Sequence, residues 1–155
     1  MSGPVNWLVY KDTENKFSIK YPDNWEPKEV ATAIAFLSPL DGTKDKFREN
    51  VNVMVQDLKT HPMDLSEFTE LTRKQIKLHA GNDAILGEKR LTFAGQPAEQ
   101  FIYKATIQEV DLKFKQYWFI KGTNAFVLTY TAEPQQYERY EDVGTEMLDS
   151  FKLDE

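Results

Sequence analysis

The chain contains no cysteine. That excludes disulfides, thiolate zinc sites, iron–sulfur clusters and a cysteine nucleophile. It leaves the compartment open, because oxidising compartments also hold cysteine-free proteins. Histidine is scarce, with only His61 and His79. The seven glycines stand singly, mostly at predicted turns, so no phosphate-cradling loop is present, and neither G-x-S-x-G nor H-E-x-x-H occurs. A positive balance is lacking as well: the net charge of −6 argues against a nucleic-acid backbone as the main partner. No apolar run approaches the roughly 20 residues of a membrane-spanning helix. Met1 to Trp7 has neither a basic n-region nor an apolar h-region and does not read as a signal peptide. A native start at Met1 implies a cytoplasmic protein. If Ser2-Gly3-Pro4 is an expression scar, a removed leader implies a periplasmic or lumenal one. The residues leave both open.

What is present suits one ordinary folded domain over residues 1–155, with 41% hydrophobic and 28% charged residues. A chain of this length buries about 69% of its unfolded surface and needs no staple. Asn6 to Tyr10 reads as a first strand, and Phe17, Ile19 and Tyr21 alternate with polar residues as a second. Val30 to Ser38 reads as a third, and Val51 to Leu58 as a fourth after a polar, mobile loop at Pro39 to Asn50. Asp64 opens a helix, with Glu67 three residues on as a capping-box partner and Gly81-Asn82 as the stop. Its apolar stripe is Leu65, Phe68, Leu71, Thr72, Ile76 and His79. Ala84 to Phe93 is a fifth strand. Phe101 to Ile107 and Phe114 to Ile120 alternate on either side of a hairpin at Gln108 to Asp111, and Ala125 to Thr131 follows. Pro134 precedes a last helix with the stripe Tyr137, Tyr140, Gly144, Met147, Leu148 and Phe151. Hairpin-length turns dominate. The pattern predicts an α+β fold, a mainly antiparallel sheet of seven to eight strands flanked by two main helices.

The run Phe17-Ser18-Ile19-Lys20-Tyr21-Pro22-Asp23-Asn24-Trp25 resembles the opening signature of PsbP-like and DcrB-like domains. Phe36-Leu37-Ser38-Pro39, Asn52-Val53, Gly95-Gln96-Pro97-Ala98 and the helix running into Asp149-Ser150-Phe151 fit the same pattern. The resemblance spans about residues 7–153. It implies binding rather than catalysis, since the superfamily includes photosystem-associated lumenal proteins, bacterial lipoproteins, effector chaperones and a nuclear Ran-binding protein. The signal and lipobox cysteine of exported members are missing here.

Four features carry candidate function. His61 precedes Pro62 in a loop, and His79 lies on the apolar stripe in the last turn of its helix. Both read as structural, with no metal site expected. Tyr117, Trp118 and Phe119 run consecutively, so each sheet face carries a ring. With both faces covered they are core; with one face open, Tyr117 and Phe119 are candidates for a peptide-binding groove. Trp7, Tyr10, Tyr21 and Trp25 admit the same two readings. Finally, residues 1–132 hold 17 basic and 17 acidic residues, whereas residues 133–155 hold two and eight, so the tail carries the whole net charge. Glu138, Asp142, Glu146 and Asp149 fall on one strip of the last helix, opposite its apolar stripe. That strip is either a solvated face or a docking strip for a basic partner.

The reading is therefore a non-enzyme that binds a protein or peptide, without cofactor, as an accessory module assisting assembly or stability of a larger complex, one at a membrane included. The alternatives are a cytoplasmic DcrB-like chaperone for a secreted effector, and a small-ligand-binding protein or enzyme, which would need a deep pocket lined by His79 or clustered carboxylates.

Overall fold

The computed structural model describes residues 5–39 and 47–154. The chain start through Pro4 and most of the polar loop read at Pro39 to Asn50 lie outside the described residues. Among the described residues ten strands and two helices follow in the order β1 (Trp7–Asp12), β2 (Phe17–Pro22), β3 (Glu26–Val30), β4 (Ala33–Leu37), β5 (Asn50–Asp57), α1 (Leu65–Ala80), β6 (Ile85–Phe93), β7 (Gln96–Ile107), β8 (Val110–Lys121), β9 (Asn124–Ala132), α2 (Tyr137–Asp149) and β10 (Lys152–Leu153). The fold is α+β, and all the strand pairs are antiparallel. The main sheet has seven strands in the order β3-β4-β5-β9-β8-β7-β6, and a second sheet holds β1-β2-β10.

The segment read as one strand from Val30 to Ser38 belongs instead to the β3–β4 hairpin. Its turn is at Ala31-Thr32, with Ala31 at φ 50°, and no glycine, asparagine or proline marks it. β3 is an edge strand exposed along its length, and Pro27, Lys28 and two glutamates discourage further pairing there. β9 is the reverse case. It lies between β5 and β8 and is buried at all but its first residue, with Ala125 to Leu128 apolar and Thr129 and Thr131 buried beyond them.

Three layers result. Against one face of the main sheet pack α2 and the small sheet, around Phe17, Phe36, Phe119, Leu128, Tyr130 and Phe151. The N-terminal aromatics belong to this layer: Tyr21 stacks on Phe36 at 4.8 Å, Tyr10 meets Phe36 edge-on at 5.8 Å, and Trp25 meets Tyr140 at 6.2 Å. Trp7 packs against the same cluster. Against the other face packs α1, the one helix there among the described residues, around Phe68, Ile76, Phe101, Trp118 and Val127.

The Asp64 carboxylate accepts from the Glu67 amide at 2.8 Å and the Glu67 carboxylate accepts from the Asp64 amide at 3.1 Å, closing the capping box of α1. Gly81 ends the helix at φ 107°. The buried stripe of α1 is rotated from the expected one: Thr69 is buried and Leu71 is 41% exposed. Trp118 explains the rotation, because its indole N–H, buried beneath the helix, donates to Thr69 Oγ1 at 2.8 Å. Arg73 clamps the helix to the sheet edge through Glu88 of β6 at 2.7 Å, pairs with Glu70, and lies over the Phe101 ring.

Candidate functional site

A single helix cannot cover a face of seven strands. α1 sits over β7 and β8, with Phe68 against Trp118 at 6.3 Å. Beside it a cleft of about 640 Å³ opens between the helix and the sheet. Its floor comes from alternate residues of neighbouring strands: Met54 and Gln56 of β5, Val127 of β9, Phe114, Gln116 and Trp118 of β8, and Tyr103 and Ala105 of β7. The α1 wall presents Thr72, Gln75, Ile76 and His79, and the rim is the β7–β8 turn with Thr106, Ile107 and Gln108.

The register explains the floor. Tyr103 stands opposite Phe114, and Phe101 opposite Gln116. The Tyr103 and Phe114 rings stack at 4.7 Å. The Tyr103 hydroxyl donates to Gln116 Oε1 at 3.3 Å, and Gln116 Nε2 donates to Thr129 Oγ1 at 2.8 Å. This chain of neutral groups holds the Gln116 amide in one orientation. Burial pushes the Tyr103 hydroxyl up to about 12, and the bond to Gln116 only partly offsets the shift. Tyr103 is therefore a protonated donor at any physiological pH. At the rim, Gln108 and Glu109 both adopt positive φ, at 52° and 69°. Two-residue hairpins of this shape are usually built from Asn-Gly, so the turn holds Gln108 at a strained position.

The residues singled out from sequence are placed differently. Tyr117 and Phe119 do not line a groove: they are 4% and 0% exposed. Both point to the face covered by α2 and the small sheet, where Tyr117 meets Phe93 at 4.7 Å and Phe119 stacks on Phe126 at 5.0 Å. The face that stays open carries the alternate residues, Phe114, Gln116 and Trp118, one register step away. His79 is an exposed residue of the cleft wall, where the apolar stripe implied a partly buried one. The rotation of α1 turns it outward. His61 is exposed in its loop, as read. Among the described residues no three of His, Asp or Glu are grouped so as to hold a metal ion.

Glu138, Asp142, Glu146 and Asp149 are all exposed on the outer side of α2. The last three share a groove with Glu141, Thr145 and Lys115, whose ammonium donates to Thr145 Oγ1 at 3.2 Å. α2 lies on the opposite side of the main sheet from the cleft, so strip and cleft are separate surfaces. The cleft glutamines and Tyr103 were not foreseen as site residues. Gln116, a polar residue within an otherwise aromatic and aliphatic alternation, was the signal available.

Residues 1–153 match the protein-family profile described as PsbP-like protein. The chain belongs to the PsbP-like protein family. Solved structures of the same fold include the cyanobacterial PsbP, CyanoP, of Synechocystis sp. PCC 6803. It is 12% identical with a TM-score of 0.68, over 97% of this chain and 94% of that one. PA94 of Pseudomonas aeruginosa, a protein of unknown function described as a putative regulator, is 12% identical with a TM-score of 0.66, over 93% of this PsbP-like chain and 94% of its own. LpqN of Mycobacterium tuberculosis, described as involved in cell envelope biogenesis, is 12% identical with a TM-score of 0.63, over 99% and 93%. No curated protein matches the chain. At such identities the likeness is one of fold. Among the described residues no helix is long and apolar enough to cross a membrane.

Proposed function

We propose that this PsbP-like chain is a non-catalytic accessory module that holds a segment of a protein partner in the α1 cleft, supporting the assembly or stability of a larger complex. The observation that carries the reading is the cleft: a preformed hollow of about 640 Å³ with an aromatic floor and amide and hydroxyl groups around it. Its size lies within the roughly 300–1,000 Å³ of binding pockets, and its lining follows their usual pattern of apolar walls with a few fixed polar groups. The floor offers amides, which neither take up nor release protons near neutral pH, and Tyr103, which stays protonated far above it; the imidazole of the lining, His79, stands on the exposed helix wall with no carboxylate beside it among the described residues. That supports holding a ligand over transferring its protons. Similarity of fold to CyanoP and LpqN agrees with an accessory role by analogy only. The acidic strip of α2 contributes at longer range, favouring the approach of a partner with basic charge.

The test uses a photo-reactive amino acid at Gln75, on the cleft wall, and a control at Glu29, on the exposed edge strand β3. The expected result is a defined adduct from Gln75 alone, abolished when Ala105→Trp fills the cleft floor. Equal adducts at both positions, or indifference to the filled cleft, would overturn the reading. A DcrB-like chaperone of an exported effector would use the same cleft and meets the same test.

A further inference from the structure

Among the described residues no Asp, Glu, Lys or Arg lines the cleft, although these make up 28% of the chain. A surface hollow drawn at random from such a composition would carry several. Four glutamines line it instead, half of the chain's eight, and they come from four elements: Gln56 from β5, Gln75 from α1, Gln108 from the β7–β8 turn and Gln116 from β8. We infer that the occupant of the cleft is an uncharged stretch of polypeptide, with apolar side chains on the aromatic floor and main-chain amides bonded to these glutamines. The inference rests on the binding role proposed above and adds the chemistry of the bound segment.

The argument is one of complementarity. A charge moved from water onto a floor of rings, amides and hydroxyls loses hydration and gains no ion-pair partner there. A peptide group is uncharged and offers one donor and one acceptor, which a glutamine side chain can match. Gln116 is already oriented: its oxygen accepts from Tyr103 and one of its N–H groups donates to Thr129. One N–H and one lone pair remain for a ligand. The stacked Tyr103–Phe114 pair beside it offers a flat apolar surface to a side chain. A pure hydrocarbon would leave the amides without use, a basic segment would meet no carboxylate, and an acidic one would meet only the imidazole of His79 on the exposed wall.

The probes are N-acetylated, C-amidated hexapeptides of Ala, Leu, Val, Phe and Gln. Each has a twin bearing Asp or Lys at its third position, and binding is followed through the side-chain amide resonances of Gln75 and Gln116. Neutral peptides are expected to shift both and to bind at least tenfold more tightly than their charged twins. Gln75→Lys, at an exposed position of α1 and checked for unchanged thermal unfolding, is expected to weaken the neutral peptides and to favour the Asp twins. Equal affinity for neutral and charged twins overturns the inference. So does a response of the two amides to a neutral oligosaccharide, maltotriose, but to no peptide. If no peptide moves these resonances while the Gln75 cross-link still forms, the inference falls and the binding role stands. If neither occurs, both fall.

Discussion

Gly144 sits in the middle of α2, where replacing glycine by alanine ordinarily stabilises a helix by about 1 kcal/mol. Here the opposite sign is expected. A Cβ on Gly144 would stand 2.8, 3.0 and 3.1 Å from three ring carbons of Tyr130. Carbon pairs are best separated by about 3.5–4.0 Å, so the new methyl arrives roughly 0.7 Å too close. The ring cannot simply move aside. Tyr130 is fully buried, its hydroxyl donates to the Tyr137 carbonyl at 2.7 Å, and its ring packs on that of Tyr137 at 5.1 Å. Either α2 lifts off β9 or the hydroxyl gives up a buried bond. Overpacking of this kind costs about 1–3 kcal/mol. With the bond to Tyr137 also at stake, the upper part of that range applies, and after the helix-propensity gain the net loss is about 1–2 kcal/mol. For a domain of this size that lowers Tm by roughly 2–8 °C. The assay is urea unfolding of parent and Gly144→Ala, followed by fluorescence and far-UV circular dichroism, with Tm by calorimetry. A variant as stable as the parent, or more so, would show that the helix can shift at no cost, and that the close approach is not what selects glycine.

Phe151 is 4% exposed and meets the rings of Phe17 at 5.3 Å, Phe93 at 6.0 Å, Phe119 at 6.0 Å and Phe126 at 6.2 Å. Phe151→Ala is expected to cost about 3–5 kcal/mol in urea unfolding, and a loss below about 1 kcal/mol would contradict that packing. Burial pushes the Tyr103 and Tyr137 hydroxyls up to about 12 from 10, so their contribution to stability is complete below pH 10 and is lost as pH climbs from 10 through 12. Phenolate absorbance in the native protein should therefore lag behind that of the unfolded chain over this window; coincident titration curves would refute the buried placement. On α2, Glu138 lies in the first turn, where the helix dipole favours it, while Glu146 lies near an end with no basic residue in its last turn. Glu146→Lys should raise stability by about 0.3–1 kcal/mol, and a measurable loss would mean that this carboxylate is paired within the fold.

Local rules made much of the fold legible. The capping box at Asp64 and Glu67 involves residues three apart and needs nothing else to form. The β7–β8 hairpin was visible because Phe101, Tyr103, Ala105 and Ile107 and then Phe114, Gln116, Trp118 and Ile120 recur at every second position on either side of the turn. The β3–β4 hairpin was not, because its turn at Ala31-Thr32 lacks the residues that usually announce positive φ, and only tertiary pairing holds Ala31 there. β10 is two residues long and exists because β2 offers a free edge to Lys152 and Leu153. No periodicity can reveal a strand that short. The division of the strands into two sheets was likewise invisible, since each strand by itself reads the same in either arrangement.

The site was hidden for a different reason. Reading for function looks first for charged, nucleophilic or metal-binding groups, and in this sequence that search leads to the acidic strip of α2 and to the two histidines. The strip did emerge exposed, as its spacing required. The cleft, however, is lined among the described residues by no Asp, Glu, Lys or Arg, and its lining comes from elements spread between Met54 and Val127. On β8 the two faces differ by one step of register: Tyr117 and Phe119 on one, Phe114, Gln116 and Trp118 on the other. Both faces carry aromatic rings, so hydrophobicity alone cannot say which is covered twice and which only in part. The deciding residue is Gln116. In a face sealed by two packed layers its amide would be costly to bury without partners. Here it is bonded to Tyr103 and Thr129 and still keeps a donor and an acceptor free at the cleft. A polar residue interrupting an aromatic alternation thus marks the open face, and the same test applies to any strand that carries rings on both sides.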